Sequence, residues 1–429
     1  MKNVYDVFLE RGFLEQVTDE GQVRELLGSG PVTGYIGFDP TATSLHVGSL
    51  VPIMALVHLQ RHGHRPIALV GGGTGLIGDP SGKTEMRKVL TRKEIDFNAG
   101  CLRAQLSRYL DFGEGKALLV NNADWLTELN YIEFLRDIGR HFSVNKMLAA
   151  ESYRLRLEKG LNFIEFNYML LQAYDFLYLF QHYGCEMQFG GNDQWGNMLA
   201  GVDLIRRVDS RQAQSLTFPL LTTAHGHKMG KTEKGTVWLD GALTSPYEYF
   251  QYWMNADDAD VARFLALFTF LPMEEVRQAE TLTDAQLNMA KAVLAFEATK
   301  ITHGSEEAVA AWSSSAAAFR LKPVDAVLFP SSGIPRTAPA EDLAAIPTIV
   351  MDHTALEAGI SAFDLFHDAG LCASKGEAKR ILSQGGGYVN DRPVRSPDEK
   401  IGLGDANERG EIRLRRGKKS YAIIRILSA

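Results

Sequence analysis

Cysteine is scarce in this chain. There are three in 429 residues, Cys101, Cys185 and Cys372, far apart and without a CxxC pair. That counts against a disulfide scaffold and a thiolate zinc site, and it suits a reducing compartment such as the cytoplasm. Long apolar runs are also missing. The stretch LALFTFL (265–271) is well short of the ~20 residues that cross a bilayer, so no membrane association is expected. The opening residues, MKNVYDVFLERGFLEQVTDE, carry early acids and no apolar core, and do not read as a secretory signal. No internal repeat is visible. Basic charge is not in excess: 45 Lys and Arg against 52 Asp and Glu leave a net charge of −7. A surface coated for non-specific polyanion binding is therefore not expected, although a local basic patch remains compatible with the sum.

What is present is enough apolar material for a large core, and a length that suits about three domains. Residues 1–29 read as helical. A short strand at 32–38, a DPTATS turn, an apolar helix at 45–60 and a buried strand at 66–70 follow. Further strands are expected at 117–121 and 186–190, with 123–158 mostly helical. Strand, loop, helix, strand in that order predicts a parallel α/β sheet with crossover helices. From residue 245 the character changes to helical patterns at 245–255, 258–269, 272–278, 284–302 and 304–316, with no obvious strand. Five prolines punctuate 321–352 (Pro323, Pro330, Pro335, Pro339 and Pro347), which reads as a linker. Structure resumes with helices at 361–369 and 375–384 and strands at 387–390, 411–414 and 421–427.

The first loud signal is RPIALVGGGTGLIGDPSGKT (65–84). Gly73, Gly75 and Gly78 fit GxGxxG after a strand, the fingerprint of a dinucleotide fold. Asp79 and Pro80 break the helix that this fingerprint needs. Gly78 and Gly82 stand one residue too close for a Walker A loop. A tight structural turn is one remaining reading. The favoured one is a backbone surface that a bulky ligand approaches closely, with Asp79 meeting a cation and Lys83 and Arg87 a phosphate. FDPTATSLHVGS (38–49) places Thr41, His46, Gly48 and Ser49 where a strand passes into a helix, a natural anion site. A histidine at a helix start is also a common structural group. LLTTAHGHKMGKTEKG (220–235) spaces Lys228, Lys231 and Lys234 among Gly226, Gly230 and Gly235. It is either a solvated turn or a mobile clamp that neutralises charge on a leaving phosphate group. In FNYMLLQAYDF (166–176) Tyr168, Gln172 and Asp175 share one helix face, as a self-satisfied cluster or as a polar pocket for a small zwitterion. GGNDQWGN (190–197) follows a strand, and its glycines permit close approach at the strand end, where ligands of α/β sheets sit. Near the C-terminus Lys375, Lys379 and Arg380 open a helix, and Arg413, Arg415, Arg416, Lys418 and Lys419 form a second basic stretch. These suit a localised RNA contact or a solvated basic tail.

Together these segments resemble the class I aminoacyl-tRNA synthetases, and within them the bacterial tyrosyl-tRNA synthetases. HVGS (46–49) stands in the place of the HIGH signature and KMGKT (228–232) in that of KMSKS, with GDPSGK, LLQAYD and GGNDQWGN around them. The likeness runs essentially from end to end. Ser49 departs from the second histidine of HIGH, and serine carries no imidazolium charge. That shifts weight to His46, Lys83 and the loop lysines. Gly230 and Thr232 stand where serines are usual, and Asn192 where serine is frequent.

The resemblance implies an α/β fold class: a Rossmann-like parallel-sheet catalytic domain over 1–235, with a helical dimerisation segment at 123–158. An all-helical anticodon-stem domain would cover 236–320 and a linker 321–354, before a small α+β S4-like RNA-binding domain at 355–429. It implies activation of L-tyrosine by ATP to tyrosyl-adenylate and diphosphate, then transfer to tRNA(Tyr). Mg2+ would enter with ATP as a substrate complex, with no protein-bound metal or organic cofactor. Thr41, His46, Ser49, Lys83, Arg87, Lys228, Lys231 and Thr232 take the catalytic positions. Asp79, Tyr168 and Gln172 would hold the ammonium group, Tyr35 and Asp175 the phenolic hydroxyl, and Gln188 and Gln194 the polar lining. Gly37, Asp39, His46, Gly48, Gly191, Asp193 and Lys231 would hold ATP and the adenylate. Lys375, Lys379, Arg380, Arg415 and Arg416 would meet RNA, and the chain would form a homodimer. A pocket built around a hydroxyl rejects phenylalanine without editing, and tyrosyl-tRNA synthetases are themselves the known example of this. Tryptophan would not satisfy Tyr35 and Asp175, which separates this reading from a tryptophanyl-tRNA synthetase. An inactive synthetase-like RNA-binding protein has only Ser49 in its favour.

Overall fold

The computed structural model describes the chain apart from residues 1, 80–89, 151–152, 154–156, 158–159, 225, 227–228, 233–234, 320, 338–344, 418–419 and 428–429, and apart from the side chains at 231 and 232. The chain divides into two units. One comprises Met1–Lys231, Thr236–Leu243 and Ala262–Val276; the other Thr232–Gly235, Thr244–Val261 and Arg277–Ala429.

The first unit is built on six strands: β1 (Gln16–Val17), β2 (Thr33–Phe38), β3 (Arg65–Val70), β4 (Leu118–Asn121), β5 (Cys185–Gly191) and β6 (Gln214–Phe218). Their spatial order is β1-β6-β5-β2-β3-β4. Every neighbouring pair is parallel except β1 with β6. From β2 the chain runs outward through β3 and β4, then returns to lay β5 and β6 on the other side. The order therefore reverses between β2 and β5, which opens a crevice at the strands' C-terminal ends. β3 is buried from Pro66 to Val70, the continuous apolar run of a parallel strand covered on both faces.

The four strands expected from sequence are present. β6 and β1 were not foreseen. β6 reads QSLTF, with three polar side chains that are nonetheless buried. They are partly satisfied sideways: Gln214 donates to Gln22 at 2.9 Å and Thr217 to Asn192 at 3.2 Å. The helical reading of 1–29 also needs correction. Helices Val4–Arg11 and Glu20–Leu26 are separated by β1, which takes the free edge of β6.

The crossover helices have legible ends. The helix Arg92–Leu106 starts with a reciprocal Thr91–Glu94 capping box. The helix Phe163–Tyr183 starts with the same device from Asn162 and Glu165, and stops at Gly184 in the left-handed region (φ 63°). The helix Leu50–Arg61 follows β2 through a 3-10 turn at Val47–Ser49. Between residues 123 and 149 lie the short helices Ala123–Leu126, Tyr131–Asp137 and Val144–Ala149.

The sequence pattern assigned 258–278 to a helical domain, but Ala262–Val276 belongs to the sheet unit. A buried guanidinium ties it there. Arg11 donates to the carbonyls of Ala266 (2.9 Å), Thr269 (3.0 Å) and Leu271 (2.6 Å). These carbonyls lie at and beyond the end of the helix Val261–Phe268, where backbone acceptors have no intrahelical partner.

In the second unit the helices Pro246–Met254, Asp284–His303 and Ser305–Phe319 pack around fully buried Tyr249, Trp253 and Trp312. The segment read as a linker is packed in its described part. Val324, Phe329 and Ile334 are buried, and Glu297 accepts hydrogen bonds from Ser332 Oγ and Gly333 N, both at 2.7 Å. The strand Thr348–Asp352 also lies inside that segment. It pairs in parallel with Ser420–Leu427 and forms one edge of a five-stranded sheet with Glu411–Arg416, Gly387–Val389 and Arg392–Pro393. Helices Ala362–Asp368 and Lys375–Ser383 share the core of this sheet. Their approach is close: a Cβ on Gly387 would lie 3.2 Å from the Phe366 ring.

Replacing Arg11 with methionine should leave three carbonyls unpaired and destabilise the first unit by about 2–4 kcal/mol, read as a lower urea midpoint with an unchanged slope.

Candidate active site

The crevice between β2 and β5 holds a cleft of about 410 Å3. β2 sends Tyr35, Gly37 and the following Asp39 into it, and β5 sends Gln188, Gly190 and Gly191. The helix Phe163–Tyr183 adds Tyr168, Gln172 and Asp175 from one face, as their spacing predicts. Asp79, Asp193, Gln194, Thr41, His46, Gly48 and Ser49 complete the match between sequence candidates and lining. Lys83, Arg87 and Lys228 lie outside the described residues. Lys231 and Thr232 form a two-residue strand whose side chains are likewise outside them.

The inner end of the cleft is set by Asp175, a residue only 2% exposed. Trp125 Nε1 donates to its Oδ1 at 2.7 Å and Asn122 Nδ2 to its Oδ2 at 2.8 Å. Burial raises its pKa to about 7; the two donors pull it down, and the charge of Asp39 pushes it up. Tyr35 is fully buried beside the Phe176 ring. Burial, and next the charge of Asp175, raise its phenol well above the ordinary value. The Tyr35 hydroxyl and Gln188 Oε1 are buried and have no hydrogen-bond partner among the described residues. Unmet polar groups in so enclosed a place are costly unless a ligand satisfies them.

A polar chain continues from this end. Asn122 Nδ2 also donates to Thr74 Oγ1 (3.1 Å), and Thr74 Oγ1 donates to Asp39 Oδ1 (3.0 Å). Asp39 Oδ2 accepts from the Tyr168 hydroxyl at 3.2 Å. Asp39, expected on the nucleotide side, is thus also a partner of the amino-acid residue Tyr168. Beside it, Gln194 Nε2 donates to Asp79 Oδ2 at 2.7 Å. Asn197 Nδ2 donates to both Gln172 Oε1 (2.9 Å) and Gln194 Oε1 (3.3 Å). Asp39, Asp79, Asp175 and Asp193 all line the cleft, and its described lining includes no lysine or arginine. Such a surface attracts an ammonium group. A triphosphate there needs cations from elsewhere.

At the mouth, Gly48 N donates to His46 Nδ1 at 2.9 Å. A neutral ring therefore carries its hydrogen on Nε2 and acts as a donor. The turn is held from two sides. Gln105 donates to Ser44 Oγ (2.9 Å) and accepts from Leu45 N (2.8 Å). Val47 N donates to Val237 O (3.0 Å), Leu239 N donates to Leu45 O (2.9 Å), and His46 forms an antiparallel bridge with Trp238.

Asn122, Trp125, Thr74, Asn197, Trp238 and Gln105 were not singled out from sequence. Three of them had a signal. Thr74 lies inside the glycine segment 65–84. Asn122 follows the end of β4 directly, where ligands of parallel sheets gather, and Asn197 lies inside GGNDQWGN. Trp125 and Trp238 had none, because a lone tryptophan reads as core.

The RNA candidates separate into two groups. Lys379 and Arg380 are exposed, Lys379 over the Phe363 ring at 4.2 Å, and Lys375 pairs with Asp364 at 2.7 Å. Arg415 stacks on Tyr388 at 3.7 Å. Arg416 donates to Leu371 O (2.8 Å) and pairs with Glu377 (2.9 Å), so both arginines brace their own domain.

Trp125→Phe removes one donor to Asp175 and should move its pKa upward from about 7. In the ligand-free protein, the infrared carbonyl band of a buried protonated carboxyl should persist to higher pH in this variant than in the wild type. It should be absent in Asp175→Asn.

The chain matches the family model for tRNA synthetases class I (W and Y) over residues 28–320. It is 67% identical to a tyrosine–tRNA ligase of Syntrophus aciditrophicus, over 99% of both chains. It is 59% identical to a tyrosine–tRNA ligase of Desulfatibacillum aliphaticivorans, over 98% of this chain and 97% of the relative. Among solved structures, a C-terminally truncated mitochondrial tyrosyl-tRNA synthetase of Aspergillus nidulans matches with a TM-score of 0.66 at 30% identity, covering 73% of this chain and 93% of that one. These matches mean that the chain belongs to the tyrosine–tRNA ligase family of class I tRNA synthetases.

Proposed function

We propose that the protein activates L-tyrosine with ATP and transfers it to tRNA(Tyr), and that the cleft at the sheet reversal is where both steps occur. The observation that carries the choice of amino acid is the inner end of that cleft. There the unpartnered Tyr35 hydroxyl lies within the electrostatic reach of an Asp175 carboxylate that is already held in orientation. A phenolic hydroxyl satisfies both groups. Phenylalanine leaves them unmet, and an indole N–H accepts nothing from Tyr35.

The ammonium group of tyrosine meets Asp79, Tyr168 and Gln172. Its carboxylate oxygen attacks the α-phosphorus of ATP, a new O–P bond forms, and the bond to the β-phosphate oxygen breaks. Diphosphate leaves with Mg2+, which arrives as part of the substrate. No enzyme nucleophile is needed, so rate comes from orientation and charge. His46, through Nε2–H, and Thr41 act on the phosphates. Lys83, Arg87, Lys228 and Lys231 bring the positive charge that the acidic cleft lacks. Gly37, Gly48, Gly191 and Asp193 hold the nucleoside part. A terminal ribose hydroxyl of the tRNA then attacks the adenylate carbonyl, and AMP leaves.

Lys375, Lys379 and Arg380 present the outward charge of the C-terminal domain for RNA. A second copy of the chain covers the 123–158 segment, whose Tyr131, Ile132 and Val144 are exposed apolar residues. The working compartment is the cytoplasm. Among the described residues no helix is long and apolar enough to cross a membrane.

Exchange of pyrophosphate into ATP should depend on tyrosine and not on phenylalanine or tryptophan; exchange with tryptophan would overturn the pocket assignment. If Asp175 must be ionised to accept the phenol hydrogen, tyrosine binding weakens as pH falls through about 7. At one unit below that value it should be about tenfold weaker than its high-pH limit, since only the competent fraction binds. Lys379→Ala with Arg380→Ala should raise KM for tRNA several-fold while tyrosine-dependent exchange stays unchanged.

A further inference from the structure

The loop that leaves β2 carries Thr41 and His46, and from Thr41 to Ser44 its chain only bends, with no helix or strand to hold it. Two side chains of the helix Arg92–Leu106 supply what the backbone lacks. Near the loop's start, Asn98 Nδ2 donates to Pro40 O at 3.0 Å. Just before His46, Gln105 Oε1 accepts from Leu45 N (2.8 Å) and Gln105 Nε2 donates to Ser44 Oγ (2.9 Å). Ser44 Oγ extends this grip by donating to Leu45 O at 2.7 Å. Asn98 and Gln105 stand seven residues apart, two helical turns, so they share one face with buried Ile95 and Leu102. That face is turned to the core, and the two amide residues are only 8% and 4% exposed. An apolar side chain would pack there with no partner to find, whereas a buried amide is tolerated where its hydrogen bonds are made. The described cleft lining includes Leu102 of this helix but neither amide.

We propose that Asn98 and Gln105 are positioning residues for tyrosine activation: gripping the loop just inside each end, they hold Thr41 and His46 so that both act on the same phosphate chain. Neither amide touches substrate. Loss of the Asn98 bond frees the Pro40 carbonyl beside Thr41, and loss of the Gln105 bonds frees Leu45 N beside His46. The tyrosine end of the cleft keeps its own partners in either case: Asp175 keeps Trp125 and Asn122, and Asp39 keeps Thr74 and Tyr168. This inference rests on the functional reading above.

The test uses two double-mutant cycles in the full chain, Gln105→Met with His46→Ala and Asn98→Ala with Thr41→Ala. Either cycle stands alone if a variant of the other fails to fold. Each amide variant should lower kcat for tyrosine-dependent exchange by about 10- to 100-fold, the scale of a small misplacement of reacting groups. KM for tyrosine should stay within about twofold, because its contacts bind ground and transition states alike. Transfer of tyrosine from preformed adenylate to tRNA should fall far less, since diphosphate has already left. Once His46→Ala is present, Gln105→Met should cost little more, and likewise Asn98→Ala after Thr41→Ala, because nothing is left to position. Leu106→Ala is the structural control. Leu106 is buried on the same helix and makes no hydrogen bond through its side chain, so this variant should lower the urea midpoint while kcat stays near normal. Near-normal exchange in either amide variant, full additivity in either cycle, an equal kcat loss in Leu106→Ala, or an equal loss in both half-reactions would each overturn the proposal. Absence of exchange in the wild type would instead sink the functional reading, and this inference with it.

Discussion

A carboxylate buried in the middle of an apolar helix must be stabilised by something, and in this protein much of the cleft is arranged around that need. Asp175 sits among Phe176, Leu177 and Leu179, all buried. It is kept usable as an acceptor by an indole N–H and an amide N–H that come from the segment after β4. That requirement fixes where Asn122 and Trp125 stand. Asn122 in turn orders Thr74 and accepts a hydrogen bond from Gly73 N at 2.7 Å, and Thr74 holds Asp39. The glycine loop after β3 is therefore shaped partly from the amino-acid end of the cleft.

The same arrangement makes the cleft acidic. Four aspartates line it, which suits a zwitterion's ammonium group and opposes polyphosphate. In the sequence, lysines stand close to the cleft-lining motifs in two segments, GDPSGKT and KMGKT. On the proposed function, those segments supply the charge for the reacting phosphates. That agrees with catalysis by orientation and electrostatics, without an enzyme nucleophile.

The second unit shows how side chains of one type divide between folding and binding. Arg415 and Arg416 look, in sequence, as available for RNA as Lys379 and Arg380. The central strand on which they lie turns one onto Tyr388 and the other onto Leu371 O and Glu377. Spacing along a strand says which face a residue takes, but not what already occupies that face.

By itself the sequence determined the parallel α/β core, the helical region and the family. It also named most of the lining: Tyr35, Asp79, Tyr168, Gln172, Asp175 and Gln188 all reach the cleft. Tyr168, Gln172 and Asp175 were legible from helical spacing and Asp79 from the glycine segment, while Tyr35 and Gln188 came only through the family resemblance. Only the tertiary structure decided the rest. β6 was hidden because two of its polar side chains, Gln214 and Thr217, pair with Gln22 and Asn192 from other segments. The segment Ala262–Val276 reads as part of a helical domain until Arg11 claims its carbonyls from more than 250 residues away. Trp125, Asn197 and Gln105 matter through what they touch, and contacts between segments remote in sequence leave no periodicity to read.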